Sequence, residues 1–318
     1  METTPCVHVA AAVVYDRQGR VLVSQRPDHV HQGGLWEFPG GKLETGESPQ
    51  TGLARELREE LGIVMQAARP LIRVLHAYAD KSVLLDVWRV TRYSGEPAGL
   101  EGQPIDWVAA EKLGERSFPA ADIPIIKALN LPERYLITPE PGLRDPQFLV
   151  ELEQALARGI SLVQLRAKSL SAADYRVLVP EVQSVCRAAG ARLLLNADPL
   201  LAQQLAADGV HLNSARLMAM SERPAGIRLL GASCHTRTEV EHANALAVDF
   251  IAVSPVQQTR SHPGAAVLGF EGLRTLTELA TVPVYALGGM READLEMAFR
   301  HGAQGIAAIS GLWGSFSP

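Results

Sequence analysis

Apolar and polar positions change rhythm once along the chain. Before about residue 130 the pattern is mixed. Val7–Tyr15 and Arg20–Gln25 read as strands, joined by a turn at Asp16-Arg17-Gln18-Gly19. Leu53, Leu57 and Leu61 repeat every four residues, which predicts a helix over Pro49–Leu61. Arg69–His76 and Ser82–Tyr93 predict further strands, and Pro124–Leu129 the end of a closing helix. From Arg134 onward short apolar runs alternate with helical stretches. The strand candidates are Arg134–Thr138, Leu162–Arg166, Arg192–Asn196, Gly209–Leu212, Leu229–Cys234, Asp249–Ser254, Val282–Leu287 and Gly305–Ser310. This β-α alternation predicts a closed parallel barrel rather than an open sheet. The stretch is short for such a barrel, and its last helix, after Leu312, is nearly absent. The expected organisation is an α+β domain over residues 1–131 and a barrel over residues 134–318.

The length of 318 residues suits two domains at roughly 100–200 residues each. A net charge of −5 gives no basic footprint for a nucleic acid polymer. A small nucleotide stays open as a substrate, because a bound metal can supply positive charge. Cys6, Cys186 and Cys234 are odd in number, far apart and without C-x-x-C spacing. They read as reduced thiols, which fits a cytoplasmic protein. The apolar run before Asp16 falls well short of the ~20 residues needed to cross a bilayer, and no other stretch qualifies. No membrane partner is expected.

Candidate chemistry concentrates in GKLETGESPQTGLARELREELGI, Gly41 to Ile63. Glu56, Glu59 and Glu60 stand at i, i+3 and i+4, so they share one helix face. Three carboxylates on one face repel unless a cation neutralises them, and a hard divalent ion such as Mg²⁺ prefers oxygen ligands, waters and phosphates. Leu53, Leu57 and Leu61 occupy the opposite face. Gly40 and Gly41 let backbone approach a metal or phosphate closely. Arg55 can hold Glu47 in a bidentate pair, fixing the loop on the helix. The bland alternative, a solvated acidic helix, does not explain why Gly41, Glu47, Arg55, Glu56, Glu59, Glu60 and Gly62 recur at fixed spacing, a match of roughly one in 10⁸ per window.

That pattern is similar to the box of the Nudix superfamily, and within it the sequence resembles the MutT branch, which sanitises oxidised nucleotides. LWEFPGGKLETGES, EGQP at 101–104 and SFPAADIP at 117–124 carry the resemblance over residues 5–130. It implies an α/β/α sandwich and a metal held by the carbonyl of Gly40 and by Glu56, Glu60 and Glu101. Glu59 would hold a second metal or orient water, Lys42 would stand beside the phosphates, and Glu56 would be the general base. The implied reaction is Mg²⁺-dependent hydrolysis of a nucleoside triphosphate, 8-oxo-dGTP above all, to the monophosphate and pyrophosphate, with Mn²⁺ as a substitute. MutT-like enzymes read the base with an asparagine, where this chain has Asp122. Asp122 either accepts the N7–H of 8-oxoguanine, without donating to O6 unless it is protonated, or caps a helix. Phe38 either stacks on the base or sits in the core. His31 aligns with a loop bordering the pocket or is a surface residue.

The C-terminal half resembles thiamine phosphate synthase and its TenI relatives over about residues 134–312, through YLITP, VQLRAK, LLLNAD, DGVHLN, GASCH, ALGGM and GIAAIS. The resemblance implies a (β/α)8 TIM barrel in which Arg166, Lys168, Asn196, Gly288, Gly289 and Ser310 bind phosphate groups of a ligand. Two departures are specific. The synthase holds Mg²⁺ through two aspartates, and Ala197 and Arg216 stand in their places. Asp198 would replace the first only with rearrangement. The family's T-x-T-K loop appears as Thr259-Arg260-Ser261-His262, and Pro255 stands where TenI proteins carry a functional histidine. His211 and His235 fall at strand ends, as catalytic groups or as satisfied barrel residues. Three readings of the barrel follow: a ligand-sensing or packing domain, a working synthase making the protein bifunctional, or other barrel chemistry.

Overall fold

The computed structural model describes residues 6–30, 32–78, 81–142, 145–259, 264 and 266–313. The chain divides into two compact units, Met1–Asn130 and Leu131–Pro318. Leu131 goes with the second unit because it packs into the barrel interior with Tyr135 and Ile137.

In the first unit the strands are β1 (Cys6–Val14), β2 (Val21–Gln25), β3 (Trp36–Glu37), β4 (Gly40–Lys42), β5 (Val64–Ala77), β6 (Ser82–Ser94) and β7 (Ile105–Val108). The helices are α1 (Pro49–Leu61) and α2 (Ile123–Leu129). One sheet runs β4-β1-β6-β5, with β1 and β6 parallel, and a smaller sheet runs β3-β2-β7. Successive side chains of a strand point to opposite faces. Ala10, Ala12 and Val14 of β1 therefore pack with Leu53, Leu57 and Leu61 of α1. Ala11 and Val13 pack with Ile125 and Ala128 of α2. Each fully buried leucine of α1 contributes about 2 kcal/mol of apolar burial. The result is a sheet with a helix on each face.

Sequence pattern missed β3, β4, β7 and the first part of β5. Those early residues of β5 pair with β6 through register shifts between Met65 and Ala67, Ala67 and Ala68, and Pro70 and Ile72. Bulges break the period-2 alternation that a sequence reading depends on. Pro70 is tolerated because β5 is an edge strand.

In the second unit β8 (Arg134–Ile137), β9 (Leu162–Leu165), β10 (Arg192–Leu195), β11 (Gly209–Leu212), β12 (Leu229–Cys234), β13 (Phe250–Val253), β14 (Val284–Leu287) and β15 (Gly305–Ala308) close into a parallel barrel. The helices between them are α3 (Pro146–Ala157), α4 (Ala172–Ala188), α5 (Pro199–Gln204), α6 (Ser214–Met218), α7 (Arg237–Ala245), α8 (Gly269–Thr277) and α9 (Leu295–Arg300). Tyr135, Leu194, Phe250 and Tyr285 fill the interior, with Tyr135 and Phe250 edge to face at 5.3 Å. Leu136, Val163 and Leu195, one residue out of phase, pack under the helices. The expectation about the chain after Leu312 falls mainly on residues 314–318, outside the described residues. Cys6, Cys186 and Cys234 are free thiols. Among the described residues no helix is long and apolar enough to cross a membrane.

Candidate active site

The acidic helix forms where its sequence says it should. Ser48 caps the start of α1, its Oγ accepting from Thr51 N at 3.2 Å. Pro49 costs nothing in a first turn, which has no partner for its missing N–H. Gly62, in the left-handed region at φ 70°, ends it. With the leucine stripe buried, Glu56, Glu59 and Glu60 lie on the side away from the core.

Arg55 organises that side. Its Nε and Nη2 donate to Glu47 Oε1 and Oε2 at 3.2 and 3.0 Å. Nη1 donates to Glu56 Oε1 at 2.9 Å and to Glu59 Oε2 at 3.1 Å, and Nη2 to the Lys42 carbonyl at 3.2 Å. One guanidinium thus ties the glycine loop, β4 and two helix carboxylates together. Hydrogen bonds from Arg55 hold the Glu47 carboxyl below its ordinary range.

The Gly40–Gly41 pair lies against the same carboxylates. A Cβ on Gly41 would come within 2.3 Å of the Glu56 carboxyl carbon. One on Gly40, whose φ is 144°, would meet the Ala10 carbonyl oxygen at 2.1 Å. Gly40 N donates to Glu60 Oε2 at 3.1 Å. Lys42 ends β4 with an exposed side chain, and among the described residues its ammonium makes no ion pair.

A distant loop completes the cluster. Leu100 N donates to the Glu60 carbonyl at 2.9 Å and Ala98 N to that of Leu61 at 3.1 Å, satisfying carbonyls left over at the end of α1. Gln103 Nε2 donates to the same Glu60 carbonyl at 3.1 Å, while its Oε1 accepts from Glu101 N at 2.9 Å. The loop therefore sets Glu101 beside Glu60. Burial pushes the Glu60 carboxyl up to about 8, with the charges of Glu37, Glu56 and Glu101 adding and the Gly40 amide opposing.

Oxygen donors this crowded fit a hard divalent cation. Among the described residues no three acidic, imidazole or thiol groups enclose a cation alone. Gly40, Glu56, Glu60 and Glu101 are the residues that could hold such a cation. Glu59 is more exposed and tied to Arg55.

A second group of polar residues lies behind this cluster. Asp122 precedes α2 but its side chain caps nothing, so the helix-cap alternative fails. It is 7% exposed, and burial pushes its carboxyl up to about 8, with Glu37 adding and Arg26 opposing. Where it keeps its proton, the carboxyl donates as well as accepts, whereas the ionised form only accepts. Glu37 is ion-paired to Arg26, and burial raises it against that pairing. Tyr78 bonds the backbone of Ala121. Phe38 is 4% exposed and stacks on Phe118 at 5.6 Å, so it is a core residue. His31 lies outside the described residues. Arg26 and Tyr78 carried no sequence signal, and Glu37 stood in L-W-E-F-P-G-G without a role being assigned to it. Gln103 did, as the third residue of E-G-Q-P.

In the barrel the predicted phosphate-binding residues follow β9, β10, β14 and β15, all on the C-terminal rim. Arg166 N donates to Thr138 Oγ1 at 3.0 Å. Asn196 begins a buried relay: its Nδ2 donates to Gln164 Oε1 at 3.0 Å, and Gln164 Nε2 donates to Tyr135 OH at 2.9 Å. Tyr135 OH then meets His211 Nδ1 at 3.1 Å, and His211 Nε2 meets Ser233 Oγ at 2.8 Å. An amide nitrogen only donates, so the tyrosine proton goes to Nδ1 and His211 carries its own proton on Nε2. Burial lowers His211 to about 3, keeping it neutral. It is a satisfied barrel histidine. His235 Nδ1 bonds the Ser254 carbonyl at 2.8 Å. Gly288 is buried, and Gly289 and Ser310 are exposed. Of the Thr259–His262 loop, Arg260, Ser261 and His262 lie outside the described residues.

Comparison with known proteins gives two separate matches. Residues 10–128 match the family described as NUDIX domain, and residues 134–312 the family described as thiamine monophosphate synthase. The 8-oxo-dGTP diphosphatase of Escherichia coli (strain K12) is 34% identical over 124 residues, 39% of this chain and 96% of that protein. The CTP pyrophosphohydrolase of the same organism is 36% identical over 122 residues, 38% of this chain and 90% of that protein. The thiamine-phosphate synthase of Thermus thermophilus is 33% identical over 178 residues, 56% of this chain and 86% of that protein.

Proposed function

The chain belongs to the Nudix family through residues 10–128 and to the thiamine monophosphate synthase family through residues 134–312, and from that premise we propose that its first unit is a Mg²⁺-dependent pyrophosphohydrolase that converts 8-oxo-dGTP to 8-oxo-dGMP and pyrophosphate. The observation that carries the reading is the meeting of Glu56, Glu60, Glu101 and the Gly40 backbone at one end of α1.

Mg²⁺, or Mn²⁺ in its place, neutralises phosphate charge and lowers the pKa of the attacking water when bound. Glu56, Glu60 and Glu101 would hold it, with the Gly40 carbonyl. Glu56 Oε1 is held by Arg55, leaving Oε2 to take the proton of the water. The water oxygen bonds to the β-phosphorus as the bond from that phosphorus to the α–β bridging oxygen breaks. The monophosphate leaves with the bridging oxygen, and the water oxygen stays in pyrophosphate. Lys42, exposed beside the loop, pairs with the phosphates.

Base selection rests on Asp122. Its protonated carboxyl accepts the N7–H of 8-oxoguanine through the carbonyl oxygen and donates to O6 through the hydroxyl. Guanine offers a lone pair at N7, which leaves that carbonyl oxygen facing another acceptor. An unmatched polar pair in a buried site discriminates strongly.

A nucleotide panel in ¹⁸O-water tests the reading, and it includes CTP because of the CTP-hydrolysing relative. We expect 8-oxo-dGTP to be preferred and the label to appear in pyrophosphate. Label in the monophosphate removes the proposed geometry, and preference for another nucleotide removes the base assignment alone.

The barrel is not proposed as a working synthase. Ala197 is a buried methyl group and Arg216 a cation, where the synthase resemblance requires metal-binding carboxylates.

A further inference from the structure

The barrel's family implies a divalent metal, and the rim does not fit one. Ala197 is 5% exposed and offers no donor. The adjacent carboxylate, Asp198, is committed as the cap of α5, accepting from Leu200 N at 2.9 Å.

Cations stand there instead. In a closed parallel barrel all C-terminal strand ends share one rim. Arg166 and Lys168 follow β9, Asn196 follows β10 and Arg216 follows β11, and these three strands are neighbours. Tyr175 OH lies 3.5 Å from the Leu165 carbonyl, one residue before Arg166, and the Arg216 charge acts on Tyr175 against the effect of burial. Arg216 therefore stands within electrostatic reach of Tyr175, whose hydroxyl meets the end of β9.

Of these cations Arg166 has a carboxylate partner in Glu140, and among the described residues Lys168 and Arg216 have none. Glu140 accepts from Ser169 N and Oγ at 2.6 and 2.7 Å and stands 3.8 Å from Arg166 Nη1. Asp174 accepts from Ser171 Oγ at 2.6 Å. Glu239 accepts from Ser214 Oγ and from the His235 and Thr236 amides. Among the described residues Lys168 and Arg216 form no side-chain hydrogen bond or ion pair. Two cations without a carboxylate partner among the described residues favour an anion between them, and a guanidinium fork matches phosphate oxygens in pairs.

We propose that this rim is an anion site that works without a divalent metal, in which Arg216 supplies the charge beside Arg166 and Lys168 and holds a phosphate or diphosphate ester. The proposal is independent of the nucleotide-hydrolysing reaction.

Calorimetric titration of the full chain with inorganic pyrophosphate and with inorganic phosphate, in excess EDTA, tests it. Both probes are metal-free under these conditions. The expected result is binding of pyrophosphate that weakens at least about tenfold in Arg216→Gln, the loss expected for one charged hydrogen-bonding partner. Arg216→Lys retains most of it, which separates loss of charge from loss of fold, and Glu60→Gln leaves it unchanged, which excludes the carboxylate cluster as its location. Tighter pyrophosphate than phosphate identifies a diphosphate ester, and equal affinity a monophosphate ester. Binding that appears only on adding Mg²⁺, binding unchanged in Arg216→Gln, or no binding of either anion overturns the proposal.

Discussion

Gln103 donates from Nε2 to the backbone carbonyl of Glu60 at 3.1 Å, across 43 residues of sequence. Its other amide atom accepts from Glu101 N. One side chain thus sets the spacing between two carboxylates proposed to share a cation, without touching the cation itself. Partners of this kind commonly change metal affinity by about 10–100-fold. Gln103→Ala is expected to raise the Mg²⁺ concentration needed for half-maximal turnover by about tenfold or more, with kcat at saturating Mg²⁺ changed little. A metal titration reads both quantities, and an unchanged half-saturation point removes the positioning role.

Arg55 makes a related prediction. Its planar fork holds Glu47 through two nitrogens while Nη1 bridges Glu56 and Glu59. Lysine keeps the charge but cannot reproduce that geometry. Arg55→Lys is expected to fold and to lose about tenfold or more in kcat/KM. Full activity in this variant would mean that the guanidinium network is dispensable.

The protonation of Asp122 predicts a pH effect on selectivity. Burial raises its carboxyl to about 8, with Glu37 adding and the Arg26 charge opposing. Below that pH the group holds its proton and satisfies both N7–H and O6 of the oxidised base. As pH rises through about 8 it ionises, loses the donor and faces O6 with negative charge. The ratio of kcat/KM for 8-oxo-dGTP over dGTP is expected to be highest below pH 8 and to fall above it. Asp122→Asn, which donates and accepts at every pH, is expected to flatten the profile. A flat profile in the unaltered chain contradicts the assignment.

Much of this was legible in residue order. The carboxylate helix follows from spacing, because α1 is regular and its Leu53-Leu57-Leu61 stripe is fully buried. The barrel strands are legible because each is a short apolar run between helical stretches. The structure shortens several by one or two residues: β13 is Phe250–Val253, where the pattern predicted Asp249–Ser254. What sequence could not supply depends on burial and long-range contact. β3 and β4 have two and three residues, too few to show a period. Asp122 looks like an ordinary helix-capping aspartate until its enclosure beside Glu37 is known. Arg26 and Glu37, eleven residues apart, become one ion pair only when β2 pairs with β3.

Synthase chemistry is predicted to be absent from the barrel. With Ala197 and Arg216 in place of the two metal carboxylates, the full chain is expected to form no thiamine phosphate from the pyrimidine diphosphate and thiazole phosphate. A coupled assay with Mg²⁺ checks this, and robust product would reverse the interpretation of both positions.

The most direct test of the central claim is pyrophosphate release from 8-oxo-dGTP by the full chain and by Glu60→Gln, each followed across a Mg²⁺ titration. The substitution keeps the side-chain shape and the hydrogen bond from Gly40 N to a side-chain oxygen, but deletes the negative charge. Loss of a metal-binding carboxylate is expected to cost about two orders of magnitude or more in turnover. The account predicts Mg²⁺-dependent pyrophosphate release by the unaltered chain, abolished by EDTA, and at least a hundredfold lower rate in a folded Glu60→Gln. Comparable rates for the two proteins at saturating Mg²⁺, or release of orthophosphate in place of pyrophosphate, would contradict it.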